Sequence, residues 1–277
     1  MNTAERTPSD TDRTLPRTAR APSWHRALRR LWRLPWLCLH LLLGLPLAVM
    51  AQTPGLRDRR LYGRTVEDHL SRWWCRTLLR VFGIRLTISG EMPPGVLLAA
   101  NHQSWLDIFV LLAAGLMRFV AKAEIRGWPL AGWIVTRARA LYLERGQSQS
   151  TVAVLAKMRT MIAHGERLAI FPEGGAPHAP GVHRFHSRLF APAASGLCPA
   201  VPAAIRFTRG GQVSEEARFR PGEHVLGNGW RLLGGAGLRV EVHILPALPA
   251  GGDDRRALAR AAEAAVKAAW SAPVDPG

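Results

Sequence analysis

The sequence has few cysteines and few acidic residues. Its three cysteines, Cys38, Cys75 and Cys198, are scattered and odd in number, which argues against a disulfide framework or a cysteine-rich zinc site and fits a reducing compartment. Against 20 Asp and Glu stand 37 Lys and Arg, so the 277 residues carry a formal net charge of +17. A chain this basic is attracted to polyanions: nucleic acid, an anionic membrane surface or phosphate-bearing substrates.

Several common motifs are also missing. Nothing resembles Gly-x-Ser-x-Gly, so no serine-nucleophile motif is present. The arginines are spread along the chain, and no helix-turn-helix, aromatic RNA-binding motif or zinc finger is visible, so we expect no nucleic-acid partner. His178, His183 and His186 lack a cysteine or carboxylate to complete a ligand set, so we expect no metal. The alternative from another functional class is a basic protein that binds membranes or nucleic acid and has no catalytic activity.

The N-terminal part indicates membrane association. Residues 1–25 predict a disordered basic tail, and residues 26–52 a hydrophobic anchor. Leu34–Ala51 carries no formal charge and as a helix would measure about 27 Å, barely a bilayer core. Pro35 and Pro46 lie inside it, and arginines flank both ends. A full span, a half-inserted anchor and a cleaved signal peptide are the three interpretations; we favour an anchor, with span and half-insertion both open.

An amphipathic helix is predicted within residues 53–83. Apolar residues recur at helical spacing in TVEDHLSRWWCRTLLRVFG, with arginines on another face. Thr65 and Asp68 form a capping box at its start, and Gly83 gives a stop. Either the helix lies at the membrane interface or it packs on its own domain like any amphipathic helix. Its position directly after the anchor favours the interface.

From residue 84 onward, strand patterns alternate with helical ones. Short apolar runs such as GVLLAAN, RFVAKAE, ALYLER, RLAIFPEG, PAVPAAIRF and RVEVHIL alternate with helices such as TVAVLAKMRTMIAHG, which Gly165 ends. An Ala-rich helix closes the chain and is expected on the outside. The pattern predicts an α/β fold over residues 84–277: a mainly parallel mixed sheet flanked by helices, preceded by an N-terminal membrane-associated helical segment.

Two candidate clusters follow predicted strands, where sites of α/β sheets gather. His102 comes just after GVLLAAN, and Asp107 falls in the first turn of the next helix. Asp107 either forms a plain capping box with Ser104 or bends back to the His102 ring, where a carboxylate would fix the tautomer and make the other nitrogen a better base. The second cluster is the turn after RLAIF, where Glu173 stands beside Gly174 and the glycines allow close backbone approach.

Together these blocks resemble the glycerolipid acyltransferases, typified by bacterial 1-acylglycerol-3-phosphate acyltransferase. NHQSWLD and FPEG match the two signature blocks. FVAKAEIRGWPLAGW, ALYLERG and PAVPAAI match further blocks in the right order, and the resemblance covers about residues 70–247.

The resemblance implies an acyl transfer to the free hydroxyl of a lysophospholipid, most simply 1-acyl-sn-glycerol-3-phosphate, from acyl-CoA or acyl carrier protein, with no other cofactor. His102 would be the general base, oriented by Asp107. Arg145, Glu173 and Gly174 would hold the acceptor's head group, and Lys122 is a further candidate for an anionic contact. The location implied is the cell inner membrane, with the catalytic domain on the cytoplasmic side at an anionic surface.

The sequence departs from the family pattern after FPEG. Gly175 and Ala176 stand where the family usually has Thr or Ser and then often Arg, and Phe185-His186 replaces a Phe-Lys pair. Two expected phosphate contacts are therefore missing, which makes a lyso-ornithine lipid the alternative acceptor. The same departures suggest a catalytically silent membrane-bound relative, although His102 and Asp107 argue against it.

Overall fold

A computed structural model describes residues 23–53, 55–127, 132, 136, 140–143, 148–175, 179–252 and 254–274. The tail up to residue 22 therefore lies outside the described residues. The part described from residue 84 is an α/β domain, preceded by two long helices that pack against it.

An eight-stranded sheet forms the centre of the domain. Its strands are β3 (Arg85–Ser89), β4 (Leu97–Ala100), β5 (Arg118–Lys122), β6 (Leu141–Leu143), β7 (Leu168–Ile170), β8 (Ala200–Arg209), β9 (Gln212–Val213) and β10 (Arg239–Ile244). The order is β3-β10-β8-β4-β7-β5-β6, with β9 paired to β8. Among the described strands, β8 is antiparallel to both β10 and β9, and all other neighbouring pairs are parallel. The predicted mainly parallel mixed sheet is confirmed, and β1 (Arg60–Leu61) and β2 (Arg64–Thr65) form a separate hairpin.

Helices cover both faces of the sheet. They are α1 (Ser23–Met50), α2 (Val66–Val81), α3 (Leu106–Ala114), α4 (Ser148–Ala163), α5 (Ala191–Ala194), α6 (Val225–Leu233) and α7 (Arg255–Ser271), with 3₁₀ turns at Ala123–Gly127 and Ser187–Phe190. Along β4, Leu98 and Ala100 join the core under α2, α3 and α6, whereas Leu97 and Ala99 join the core under α4, α5 and α7. Successive strand residues point to opposite faces, so one apolar strand supplies both cores.

The helix signals predicted at Thr65 and Gly165 are confirmed, and the structure adds a cap at Asp254. The Thr65 hydroxyl accepts a hydrogen bond from the Asp68 backbone N–H, as a capping residue of α2 should. Gly165 follows α4 at φ 77°, a conformation that glycine adopts at little cost. Asp254 caps α7 by accepting from the N–H groups of Arg256 and Ala257.

The first two helices pack on the domain instead of standing apart. In α2 the apolar face, including Trp74 and Leu78, is buried against α1 and α3. In α1 a stripe at every fourth residue faces the domain, because Leu37, Leu41 and Leu45 pack against the core. The helix runs through Pro35 and Pro46 and is longer than the uncharged segment alone.

Candidate active site

The candidate active site starts where β4 leaves the sheet. The side-chain amide of Asn101 continues the sheet's bonding pattern there: its Nδ2 donates to the carbonyl of Ile205 on β8 (2.9 Å), and its Oδ1 accepts from the Ile205 N–H (2.7 Å). The Gln103 amide donates to the same carbonyl (3.0 Å). Asn101 and Gln103 are buried, so these bonds fix the loop that carries His102.

The structure brings His102 and Asp107 together. The His102 Nδ1 lies 2.9 Å from the Asp107 Oδ2. The Asp107 side chain is fully buried, whereas the His102 side chain keeps 16% of its surface exposed. An ionised carboxylate can only accept, so Nδ1 carries the proton and Nε2 is left as a proton acceptor. This contact forms because His102 lies in the loop and Asp107 in the first turn of α3.

Asp107 also organises the loop backbone. Its Oδ2 accepts from the N–H groups of Gln103 (2.6 Å) and Ser104 (2.8 Å). The bond to Ser104 is one half of a capping box. The Ser104 hydroxyl accepts from the Leu106 N–H (3.3 Å) instead of the Asp107 N–H, and it donates to the Ala217 carbonyl (2.7 Å), so the other half of the box is not made. The Asp107 carboxylate therefore makes both predicted contacts: it binds the loop backbone at the helix start and it binds the His102 ring.

The FPEG turn lies against the His102 ring. Phe171 stacks on this ring with centroids 4.1 Å apart and planes 16° from parallel. The two Glu173 oxygens accept from the N–H groups of His102 (3.4 Å) and His183 (3.2 Å). Burial raises the pKa of Glu173, and these two N–H donors act in the opposite direction. Gly174 adopts φ 83°, so the turn needs glycine at this position.

A second polar network contacts the loop that carries His102 through Trp105. The Trp105 indole donates to the Asn228 Oδ1 (3.0 Å), and the Asn228 amide donates to Glu223 (3.0 Å). Glu223 in turn accepts two hydrogen bonds from Arg231, at 2.8 and 2.7 Å. This pairing lowers the pKa of Glu223 to about 2. The network links α6 to the loop that carries His102.

The remaining predicted residues are placed only in part. Lys122 is the last residue of β5. Arg145 and His178 lie outside the described residues, so their predicted roles stay predictions. Within the described part of the chain, no group of three or more His, Cys, Asp or Glu side chains is arranged to hold a metal ion. His183 instead contacts the Ala179 carbonyl through its Nε2 (3.0 Å).

A separate cavity of about 1260 Å³ opens at the opposite edge of the sheet. Pro94, Arg118 and Arg167, which precede or begin parallel strands, line it, and His102 does not. There the buried Arg118 pairs with Glu67 and Glu166, tying α2 to the sheet. The candidate active site is therefore identified by the geometry of its side chains and not by the size of this cavity.

Sequence reasoning missed the supporting residues of the site. The stacking of Phe171 and the amide bonds of Asn101 and Gln103 were not predicted, although all three belong to the quoted motifs. A polar amide directly after a buried strand was the available signal, because a buried amide needs partners.

Three comparisons relate the chain to known proteins. The profile of the family described as Acyltransferase matches residues 83–206. The lyso-ornithine lipid O-acyltransferase of Pseudomonas aeruginosa is 36% identical over 82% of this chain and 88% of its own. The 1-acyl-sn-glycerol-3-phosphate acyltransferase of Neisseria meningitidis is 32% identical over 42% of this chain and 46% of its own. The crystal structure of the Thermotoga maritima acyltransferase PlsC covers 91% of this chain and 99% of its own, with a TM-score of 0.60 and 16% identity, and so shares the fold.

Proposed function

This chain belongs to the acyltransferase family that acylates lysolipids, and we propose that its acceptor is a lyso-ornithine lipid. The family implies a lysophospholipid-type acceptor, and 1-acyl-sn-glycerol-3-phosphate is the second candidate, favoured by the signature motifs. The donor in this proposal is an acyl thioester on coenzyme A or acyl carrier protein. Neither a metal nor another cofactor takes part.

The contact between His102 and Asp107 carries the mechanism. The His102 Nε2 removes the proton from the acceptor hydroxyl, and the hydroxyl oxygen attacks the thioester carbonyl carbon. The carbon–sulfur bond breaks, and His102 returns the proton to the departing thiolate. Asp107 holds the ring through Nδ1 and stabilises the imidazolium that forms between the two steps. General-base catalysis of this kind is worth roughly 10²–10⁴-fold.

The head-group proposal rests on relatives and on the FPEG turn. Besides the Pseudomonas protein, the lyso-ornithine lipid O-acyltransferase of Brucella abortus is 31% identical over 73% of this chain and 82% of its own. Gly175 supplies no side chain, and His186 stands where the family pattern has a lysine. His186 lies against Gly174, within 3.6 Å of where a β-carbon would be. At positions 175 and 186 the sequence therefore lacks the hydroxyl and the lysine that the family pattern would offer to a phosphate, which favours an acceptor with a different head group.

Purified protein in lipid nanodiscs tests the proposal directly. Each acceptor, lyso-ornithine lipid and lysophosphatidate, is supplied with an acyl thioester, and products are identified by mass spectrometry. We expect a higher kcat/KM with lyso-ornithine lipid. A higher value with lysophosphatidate would contradict the head-group proposal, while no transfer to either acceptor would contradict the enzymatic assignment.

For location, we propose that the protein lies on the cytoplasmic face of the inner membrane without crossing it. By length and composition α1 is able to span a bilayer. However, Arg29 and Arg33 donate to the carbonyls of Gly234 and Gly235, and Arg33 also reaches the Phe82 carbonyl at the end of α2. Positively charged side chains interact favourably with the C-terminal carbonyls of helices. The two arginines extend the stripe of Leu37, Leu41 and Leu45 with which α1 contacts the domain. One face of α1 is therefore committed to the domain.

The opposite face of α1 suits a membrane surface. It exposes large apolar side chains, including Leu31, Trp32, Trp36, Leu42 and Leu43, and Trp32 is 70% exposed. Trp73 of α2 and Trp230 of α6 are exposed as well. Tryptophan is enriched at membrane interfaces, and the net charge of +17 favours an anionic leaflet.

Flotation with vesicles tests this arrangement. We expect the pair Trp32→Ser and Trp36→Ser to weaken binding to vesicles containing phosphatidylglycerol, whereas Val213→Ser, at an exposed position on β9, leaves binding unchanged. Protease accessibility of both sides in sealed vesicles decides between lying and spanning. Protection of residues before α1 from external protease would contradict the proposal.

A further inference from the structure

A cluster of arginines lines the cavity at the opposite edge of the sheet from His102. This arginine cluster consists of Arg64 on β2, Arg72 and Arg76 on α2, and Arg167 directly before β7. His102 follows the end of β4, whereas the cavity lies where the parallel strands β5 and β7 begin. The cluster is therefore separate from the candidate active site.

Three of these arginines are held in place through the Nε atom. The Arg72 Nε donates to a carboxylate oxygen of Asp68 (2.8 Å), and the Arg76 Nε donates to a backbone carbonyl of α3 (3.0 Å). The Arg167 Nε donates to two backbone carbonyls between β3 and β4, at 3.1 and 3.0 Å. Among the described residues, the Nη atoms of these three side chains have no hydrogen-bond acceptor. The side chains are therefore positioned while their Nη donors stay available for a ligand.

The members of the cluster lie close enough to repel one another. Burial lowers the pKa of Arg76 and Arg167, and the nearby cations Arg72 and Arg64 lower it further. Asp68 opposes this shift at Arg167. Its carboxylate pairs with Arg72 at 2.8 Å and lies 3.9 Å from Arg64. An anion bound among the four guanidinium groups would relieve the remaining repulsion.

The acidic residues of the cavity do not neutralise the cluster. The lining holds seven arginines against five acidic residues. Two of these acids, Glu67 and Glu166, pair with the buried Arg118, which is not a member of the cluster. The cavity measures about 1260 Å³. It therefore combines an excess of positive charge with room for a polyatomic anion.

The surroundings of the cavity favour a lipid as the source of this anion. The β1–β2 hairpin lines the cavity and exposes Leu61 and Tyr62 next to its turn, with Tyr62 99% exposed. Tyrosine is enriched at membrane interfaces. A smaller cavity under the end of α1 shares part of its wall with the larger one, including Arg118. The arginine cluster thus adjoins the helix that we propose to lie on the membrane.

We propose that the arginine cluster binds a phosphate group and that an anionic phospholipid supplies it. A guanidinium presents a planar fork of donors that matches two phosphate oxygens, and several arginines around one cavity multiply these contacts. The choice of a lipid rests on the location proposed above, whereas a soluble phosphate compound would use the same donors. A lipid bound here would hold the domain on an anionic leaflet and would take no part in acyl transfer.

Protection of arginines from phenylglyoxal, resolved by mass spectrometry, tests the site on the wild type. The full-length chain in maltoside micelles, which contain no phosphate, is modified with inorganic phosphate or with sodium chloride at the same ionic strength. We expect phosphate to abolish modification of Arg76 and Arg167. The exposed controls Arg80 on α2 and Arg159 on α4 should react as before. Equal protection of all four arginines would show charge screening alone and would overturn the proposal.

Exchanging the micelles for nanodiscs identifies the source of the phosphate. Phosphatidylglycerol nanodiscs should protect Arg76 and Arg167 without added phosphate, whereas nanodiscs of an uncharged galactolipid should not. Protection by inorganic phosphate but not by phosphatidylglycerol would support the phosphate site and overturn the lipid source. Protection by neither would overturn both.

Two double variants with the same change in charge measure the affinity. We expect Arg76→Gln with Arg167→Gln to raise the Kd for inorganic phosphate by about 10- to 100-fold, as for loss of hydrogen bonds to a charged group. Arg80→Gln with Arg159→Gln removes two arginines outside the lining and should leave the Kd unchanged. An unchanged Kd in the first variant, shown to be folded by circular dichroism, would contradict the assignment.

The outcome does not depend on the acceptor. Binding is measured without acyl donor, so a chain that fails to acylate lyso-ornithine lipid is still expected to bind phosphate at the cluster. Conversely, both double variants retain His102 and Asp107 and should keep the wild-type kcat in micelles. Should a double variant of the cluster fail to fold, the protection pattern of the wild type decides.

Discussion

Replacing Asp107 by asparagine separates its two roles. The Oδ2 atom accepts from the His102 ring and from the N–H groups of Gln103 and Ser104. An asparagine must keep its carbonyl oxygen in that position, because the amide NH₂ would otherwise face the two backbone donors. The shape of the loop is then retained, while the negative charge beside the imidazole is lost.

The expected magnitudes differ for stability and catalysis. The NH₂ of asparagine would occupy the place of Oδ1, which is buried without a hydrogen-bond partner among the described residues. An unpaired buried donor costs about 1–3 kcal/mol, which lowers the Tm by roughly 2–12 °C for a chain of this size. Loss of the charge that steadies the imidazolium should lower kcat by roughly 10²–10⁴-fold.

Initial rates of thiol release from an acyl thioester, measured with purified protein in nanodiscs, provide the assay. The matched control is Asp254→Asn, since Asp254 also accepts from two backbone N–H groups at a helix start but caps α7 and not α3. We expect this control to retain the wild-type kcat. A folded Asp107→Asn variant with wild-type kcat would refute the role of Asp107. The double variant His102→Ala with Asp107→Asn gives a second test. If its kcat were far below that of His102→Ala alone, the two residues would not act as a unit, because the effects of residues that act together are not additive.

Three further changes test the base, the helix packing and the Glu223 network. His102→Ala should reduce kcat by at least about 10²-fold without altering acceptor binding, and a folded variant with full activity would exclude His102. Gly44→Ala should lower the free energy of unfolding by about 1–3 kcal/mol, because the new β-carbon would lie 2.1 Å from the Trp74 indole nitrogen. The control Gly227→Ala, whose new β-carbon would lie 3.6 Å from the nearest atom, should not be destabilised. Thermal unfolding of both variants measures the difference. Glu223→Gln should be less stable than the wild type at pH 7, because the pKa of Glu223 is lowered to about 2 in the folded protein. The ionised carboxylate stabilises the fold at any pH above the ordinary pKa of Glu, and this stabilisation is lost as the pH falls towards 2. A Tm difference between variant and wild type that persists unchanged at pH 2 would contradict this prediction.

Much of the sheet was predictable because its strands are short, buried and apolar. All six strands named from apolar runs are present, and the predicted helix cap at Thr65 forms through a local hydrogen bond. The edge strand β3 and the helix α6 were not predicted. β3 alternates between exposed and half-buried residues, and α6 contains Gly227, Asn228 and Gly229, a composition typical of a loop. Tertiary contacts, not local propensity, stabilise these two elements.

The packing of α1 could not be predicted, because its contacts are distant in sequence. A window of apolar residues is compatible with a membrane span. The packing of Leu37, Leu41 and Leu45 on the core and the arginine bonds to the ends of α2 and α6, across 49 to 205 positions, show that one face contacts the domain. The same applies to the active site. His102 and Asp107 are five positions apart and a local turn joins them, whereas Asn228 contacts the Trp105 indole across 123 positions of the chain.

This difference in distance separates the proposed reacting groups from the residues that support them. The proposed proton transfer needs a ring and a carboxylate in fixed geometry, and a short loop with its helix turn supplies both from neighbouring positions. The support comes from distant positions, because the Ala217 carbonyl accepts from the Ser104 hydroxyl and the Asn228 side chain accepts from the Trp105 indole. Substitutions of Asn228 are therefore expected to change kcat less than substitutions of His102 or Asp107.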